Sequence, residues 1–77
     1  MVPVKVRTYD GYKAEEFPVS ILIENRQVHV KVLRQWTEVD LNTGKGLRGF
    51  LVETTDRGER FKLYQDLQTG QWFIKHP

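Results

Sequence analysis

Apolar and polar residues alternate along most of this chain. Valine occupies every second position from residue 2 to residue 6, and the alternation returns over residues 17–23, 28–32, 50–55 and 60–64. A period of two is typical of a β-strand with one buried face, because successive side chains point to opposite sides of the strand. No segment shows the 3.6-residue period of an amphipathic helix. The pattern therefore predicts an all-β protein.

Turn-forming residues separate the alternating segments. Gly, Asn and Asp accept the backbone angles of tight turns, which predicts turns at Asp10-Gly11, Asn25-Arg26, Asp56-Arg57-Gly58 and Asp66–Gly70. A longer loop is predicted over residues 40–49, which contain three glycines. In the last turn we expect Asp66 to accept hydrogen bonds from backbone N–H groups and Gly70 to have a positive φ.

The alternation breaks at Val32-Leu33, where two apolar residues are adjacent. A β-bulge near Leu33 would bend a long strand so that it serves both sides of a closing sheet. We therefore expect about six antiparallel strands in a small barrel or roll of the SH3-like type, since closure removes exposed strand edges. The predicted core comprises Val4, Val6, Val19, Ile21, Val28, Val30, Val32, Phe50, Val52, Phe61, Leu63, Trp72 and Ile74.

Length and composition are those of one small globular domain. The 77 residues are assigned to a single domain spanning 1–77, and the chain has no cysteine, so disulfides and thiolate metal sites are excluded. No apolar run approaches the roughly 20 residues that cross a bilayer. The start of the chain, MVPVKVRTYDGY, lacks the apolar core of a signal peptide. We therefore expect a monomer in the cytoplasm.

The C-terminal half carries three motifs. The pattern V-L-x-x-W falls on Val32, Leu33 and Trp36. The patterns F-x-V-x-T-x-x-G, with one residue of slack at the turn, and L-Y-x-D-L-x-x-G-x-W-F fall on Phe50, Val52, Thr54 and Gly58, then Leu63, Tyr64, Asp66, Leu67, Gly70, Trp72 and Phe73. In these motifs the chain resembles an uncharacterised small bacterial β domain that occurs alone and at the C-terminus of some Y-family polymerase-like DNA-damage proteins. The resemblance covers roughly residues 15–75 and implies a small β domain without implying an activity.

The sequence contains no convincing catalytic or metal-binding arrangement. Ser20 is the only serine and a predicted cross-strand neighbour of His29, but no third orienting group and no glycine-bearing elbow accompany the pair. His29 and His76 lack the further nitrogen or thiolate ligands that zinc requires. The Gly-Lys-Gly at residues 44–46 lacks the spacing of a P-loop, and no helix follows it. We expect a protein that is not an enzyme and holds no metal or cofactor.

Basic side chains occupy the predicted outward faces of several strands. Twelve basic and ten acidic residues give a net charge of +2, which permits an anionic partner without requiring one. Single-stranded nucleic acid needs cations for its phosphates and a ring on which a base can stack. The candidate nucleic-acid-binding residues are Lys5, Arg7, His29, Lys31, Arg60, Lys62 and Tyr64.

Aromatic residues near the predicted strand ends offer another way to bind a partner. Tyr9, Tyr12, Trp36 and Tyr64 are not needed to fill the predicted core. Small β-barrels bind extended peptides in aromatic-lined grooves or along an exposed strand edge. We therefore expect a non-enzymatic binding or adaptor domain. A protein partner is favoured by default, and weak binding of single-stranded DNA or RNA is the alternative.

Overall fold

A computed structural model of the chain describes residues 1–10 and 16–75, except for the side chains of Asp10 and Glu16. Three predictions fall outside the described residues. They concern Tyr12, His76 and the Gly11 half of the turn at Asp10-Gly11. Within them there is no helix long and apolar enough to cross a membrane.

Six antiparallel strands form a closed barrel in the part of the chain that the structure describes. In chain order they are β1 (Val2–Asp10), β2 (Glu16–Ile23), β3 (Arg26–Val39), β4 (Gly46–Thr54), β5 (Arg60–Asp66) and β6 (Trp72–Lys75). Each strand pairs with the next, and the first residues of β1 pair with β6, so the sheet closes on itself. The predicted fold class, an all-β barrel of about six strands, is confirmed.

The bulge predicted near Leu33 is present in β3. Val32 pairs with Val52 of β4, and the next paired residue is Arg34, which faces Leu51. Leu33 is therefore the extra residue, and the side chains that follow it change faces. Before the bulge the odd-numbered residues of β3 point outward, whereas after it the even-numbered residues do. This shift places Arg34 and Trp36 on the outside of the barrel.

A second bulge was not predicted, and it removes Val19 from the core. Arg7 of β1 pairs with Ser20, whereas Thr8 pairs with Pro18, so Val19 has no partner in the ladder. The prediction that Val19 belongs to the core is wrong, because an unpaired bulge residue does not follow the alternation of its strand.

The core lies inside the barrel and matches the rest of the prediction. The buried cluster comprises Ile21, Val30, Phe50, Val52, Phe61, Leu63, Trp72 and Ile74, all of which are in the predicted core. Val4, Val6, Val28 and Val32 are partly buried and pack against this cluster. Every second residue of β4, β5 and β6 therefore points inward, and the intervening residues form the outer face.

Two predicted connections differ from the structure in their bounds. The hairpin between β2 and β3 turns at Glu24-Asn25, one residue earlier than predicted, with positive φ at both positions as in a type I′ turn. The loop predicted over residues 40–49 ends at Lys45, because β4 begins at Gly46 and continues the ladder with β3. Residues 46–49 therefore belong to the sheet, and outward side chains of β3 can lie across their outer face.

The turn between β5 and β6 has the predicted hydrogen bonds and the predicted positive φ. The Asp66 Oδ1 atom accepts hydrogen bonds from the backbone N–H groups of Gln68 at 2.7 Å and Thr69 at 3.1 Å. Gly70 has a φ of 79°. A side chain at Gly70 would be strained, since L-residues other than Asn and Asp rarely adopt this conformation.

We expect Asp66→Ala to lower the free energy of unfolding by about 1 kcal/mol, because two backbone donors lose their acceptor. Gly70→Val should cost about 1–2 kcal/mol through left-handed backbone strain. Urea unfolding monitored by circular dichroism measures both changes. Asp66→Asn is the control, since its side-chain oxygen can still accept, and an equal loss in Asp66→Asn would contradict the capping role.

Candidate binding surface

A row of basic residues crosses the outer face of four adjacent strands. Residues that pair directly on antiparallel strands point to the same face of a sheet. Arg34 pairs with Leu51, Leu51 with Lys62, and Lys62 with Lys75. We call Arg34, Leu51, Lys62 and Lys75 the basic row. Because neighbouring strands lie about 4.8 Å apart, the row spans roughly 14 Å.

A second row, rich in aromatic residues, runs beside the first. Trp36 pairs with Gly49, Gly49 with Tyr64, and Tyr64 with Phe73. We call these four residues the aromatic row. On every strand it lies two residues from the basic row, which corresponds to about 7 Å along the strand.

Trp36 covers the middle of the aromatic row. Its indole ring lies across Gly49, where a Cβ atom would come within 2.6 Å of the Trp36 Cζ2 atom. The ring also contacts Tyr64 edge to face, with 6.1 Å between the ring centroids. Tyr64 is consequently only 6% exposed although it points away from the core. Any side chain at position 49 would displace the indole from this place.

Polar contacts hold the Trp36 ring in place. The indole Nε1 donates a hydrogen bond to Glu38 Oε2 at 3.1 Å, and the Lys62 ammonium lies 6.0 Å from the ring centroid. Burial raises the pKa of the Tyr64 hydroxyl, and the negative charge of Glu38 raises it further. The indole itself is half-buried and keeps part of its surface in solvent.

A neutralising cluster borders the basic row. Glu53 binds Arg60 Nε at 2.9 Å and Lys31 Nζ at 3.5 Å. The hydrogen bond from Arg60, with the charges of both cations, holds the pKa of the Glu53 carboxyl below its usual value. Within residues 1–10 and 16–75, by contrast, the three cations of the basic row take part in no ion pair. Their charge is available to a partner.

The structure divides the candidate residues predicted from sequence among several places. Lys62 belongs to the basic row, whereas Lys31 and Arg60 bind Glu53. Tyr64 points outward but is covered by Trp36, so its ring offers little free surface to a base in this structure. Lys5, Arg7 and His29 are exposed on the part of the sheet formed by β1, β2 and the start of β3.

Two cations of the basic row, Arg34 and Lys75, are absent from the predicted set. The signal for Arg34 was in the sequence, since a bulge at Leu33 moves Arg34 and Trp36 to the face occupied by Lys31. Lys75 had no such signal, because its position beside Lys62 depends on the register between β5 and β6.

The predicted cross-strand pairing of Ser20 with His29 is present. Ser20 is 1% exposed, and its hydroxyl accepts a hydrogen bond from Gln27 Nε2 at 3.1 Å. In the part of the chain that the structure describes, no group of three or more His, Cys, Asp or Glu side chains is placed to hold a metal ion.

The two rows share an open groove. It has a volume of about 280 Å³ and is lined by Arg34, Trp36, Leu51 and Lys62.

Comparisons of the chain with protein-family models, with curated proteins and with solved structures find no match. The partner of this groove has to be inferred from the chemistry of the surface itself.

Proposed function

We propose that this chain is a non-enzymatic binding domain whose ligand is an extended anionic segment lying along the basic row. The observation that carries the proposal is the alignment of three cations, from three different strands, across one face of the barrel, none of them in an ion pair with another described residue. Cations aligned on neighbouring strands of one sheet attract a chain of negative charges and favour one direction for it.

The composition of the row distinguishes it from an ordinary charged surface. Isolated lysines on strands improve solubility and discourage edge-to-edge association, and they need no partner. Here Leu51 and Trp36 form an apolar floor between Arg34 and Lys62. A ligand that covers this floor displaces water from around the cations, which strengthens their attraction for its charges.

The sequence led us to expect a protein partner by default, and this surface restricts which peptides could bind. A peptide that lies along the basic row would have to be acidic, because Arg34, Lys62 and Lys75 repel positively charged segments. Nucleic acid is the other polyanion that satisfies the same chemistry. We further propose that the domain acts as a monomer in a bacterial cytoplasm, which its cysteine-free sequence and its resemblance to a bacterial β domain support.

The proposal predicts that a polyanion without bases binds the basic row. We expect inorganic polyphosphate, added at low salt to the isotope-labelled domain, to shift the NMR signals of Arg34, Lys62 and Lys75 and of the Trp36 indole. The Trp72 indole is an internal control, since it lies in the core.

Two double variants with the same change of net charge complete this experiment. Lys62→Gln/Lys75→Gln, the row variant, keeps only Arg34 as a cation of the row and should strongly reduce the shifts. Lys5→Gln/Arg7→Gln, the control variant, removes two charges from the β1–β2 part of the sheet and should leave them unchanged. Shifts centred on Lys5 and Arg7, or no shifts at low salt, would refute the proposal.

A further inference from the structure

We infer that the anionic ligand is single-stranded nucleic acid, with its phosphates along the basic row and its bases on the aromatic row. This inference rests on the proposed function, because it specifies the ligand of the same surface. It depends on base stacking along the aromatic row, whereas the proposed function depends mainly on the cations of the basic row.

The first argument is the parallel course of the two rows. In a nucleic-acid strand the sugar separates each phosphate from its base, so a protein that binds both needs cations along one line and rings along another. The basic and aromatic rows lie side by side on all four strands, about 7 Å apart. An acidic peptide would use the cations but would give the neighbouring rings no particular role.

The second argument is the fixed position of Trp36. Gly49 lies beneath the ring, Tyr64 contacts it edge to face, and Glu38 accepts its N–H. The ring is therefore positioned before any ligand arrives, while part of it stays in solvent. A held aromatic ring loses little conformational freedom when a base stacks on it, and stacking accepts any base.

The third argument concerns which rings can be reached. Phe73, at the other end of the aromatic row, is half-buried like Trp36, whereas Tyr64 between them is covered. The accessible rings thus lie three strands apart, or roughly 14 Å. Two bases of one strand can use them only if they are unpaired, because base pairing in a duplex leaves the faces of its bases stacked on each other.

The test measures the affinity of the domain for fluorescent oligo-dT and oligo-U of about eight nucleotides, a length within the usual site size of single-strand-binding barrels. If three phosphates are neutralised, the logarithm of affinity should fall with the logarithm of salt concentration with a slope of about −2. This slope corresponds to a loss of about 20-fold between 50 and 200 mM salt.

The two rows should respond differently to substitution. The row variant Lys62→Gln/Lys75→Gln should reduce the salt slope to about −0.7, because one phosphate contact remains. Trp36→Leu should weaken binding by about 5- to 150-fold without changing the slope, since stacking releases no counterions. Trp36→Phe should retain most of the affinity, and the control variant Lys5→Gln/Arg7→Gln should retain both affinity and slope. Circular dichroism of each variant establishes that it is folded.

Other outcomes separate this inference from the proposed function. A polyglutamate peptide that binds as tightly as an oligonucleotide of equal charge, with no effect of Trp36→Leu, would overturn the inference and leave the proposed function standing. Duplex DNA that binds as tightly as the single strand would also overturn it. If neither oligonucleotide nor polyphosphate binds at low salt, both proposals are wrong.

Discussion

Replacement of Trp72 by alanine should lower the free energy of unfolding by about 3–5 kcal/mol. Trp72 is 7% exposed, belongs to the buried cluster, and lies 5.4 Å from Phe50 between ring centroids. Its removal leaves a cavity that the closed barrel cannot easily fill, because β1 and β5 hold β6 on both edges. A loss of this size is a large part of the stability of so small a domain.

Urea unfolding followed by far-ultraviolet circular dichroism is the appropriate measurement, since it does not depend on tryptophan fluorescence. Trp36→Leu is the matched control, because Trp36 is the other tryptophan and lies half-buried on the outer face. We expect this control to cost clearly less than Trp72→Ala. A Trp72→Ala protein with an unchanged unfolding midpoint would show that Trp72 does not support the core.

Gly49→Ala, the addition of a single methyl group, should destabilise the domain by about 1–3 kcal/mol. The new Cβ would collide with the Trp36 ring, coming within 2.6 Å of its Cζ2 atom. The indole must then leave its place over Gly49 and against Tyr64, which exposes the tyrosine ring to water. If single-stranded nucleic acid stacks on Trp36, the same variant should also bind it more weakly.

Gly46→Ala on the same strand is the control for this substitution. A Cβ at Gly46 would meet only the tip of the Leu67 side chain, at 3.1 Å, and Leu67 is exposed enough to rotate away. The double variant Gly49→Ala/Trp36→Leu should cost less than the sum of its single changes, because the collision is absent once the indole is removed. Strict additivity would mean that Trp36 does not cover Gly49.

Most of the fold was predictable from local pattern. Period-two alternation identified the strands, and adjacent apolar residues at Val32-Leu33 marked the bulge that the ladder with β4 contains. Asp66 and Gly70 have the predicted turn chemistry. The strands, the bulge and this turn depend on residues close together in the chain. Backbone geometry and side-chain alternation determine them without a distant partner.

The errors occur where a position depends on a distant partner. Val19 follows the alternation in sequence but leaves the core, because the register between β1 and β2 skips it. Gly46 belongs to a strand despite its glycine-rich surroundings, since the long β3 provides backbone partners for it. Local propensity is weak in β-structure, and cross-strand pairing overrides it.

The candidate surface also divides into features that local pattern determines and features that depend on distant strands. The sequence by itself determined that Lys62 points away from the core, since alternation along β5 assigns each side chain to a face. Only the tertiary structure decided that Arg34 and Lys75 lie in line with Lys62, and that Trp36 covers Tyr64. The physical reason is that alternation sets the face of a residue, whereas strand register sets its neighbours, and register emerges only when the whole barrel closes.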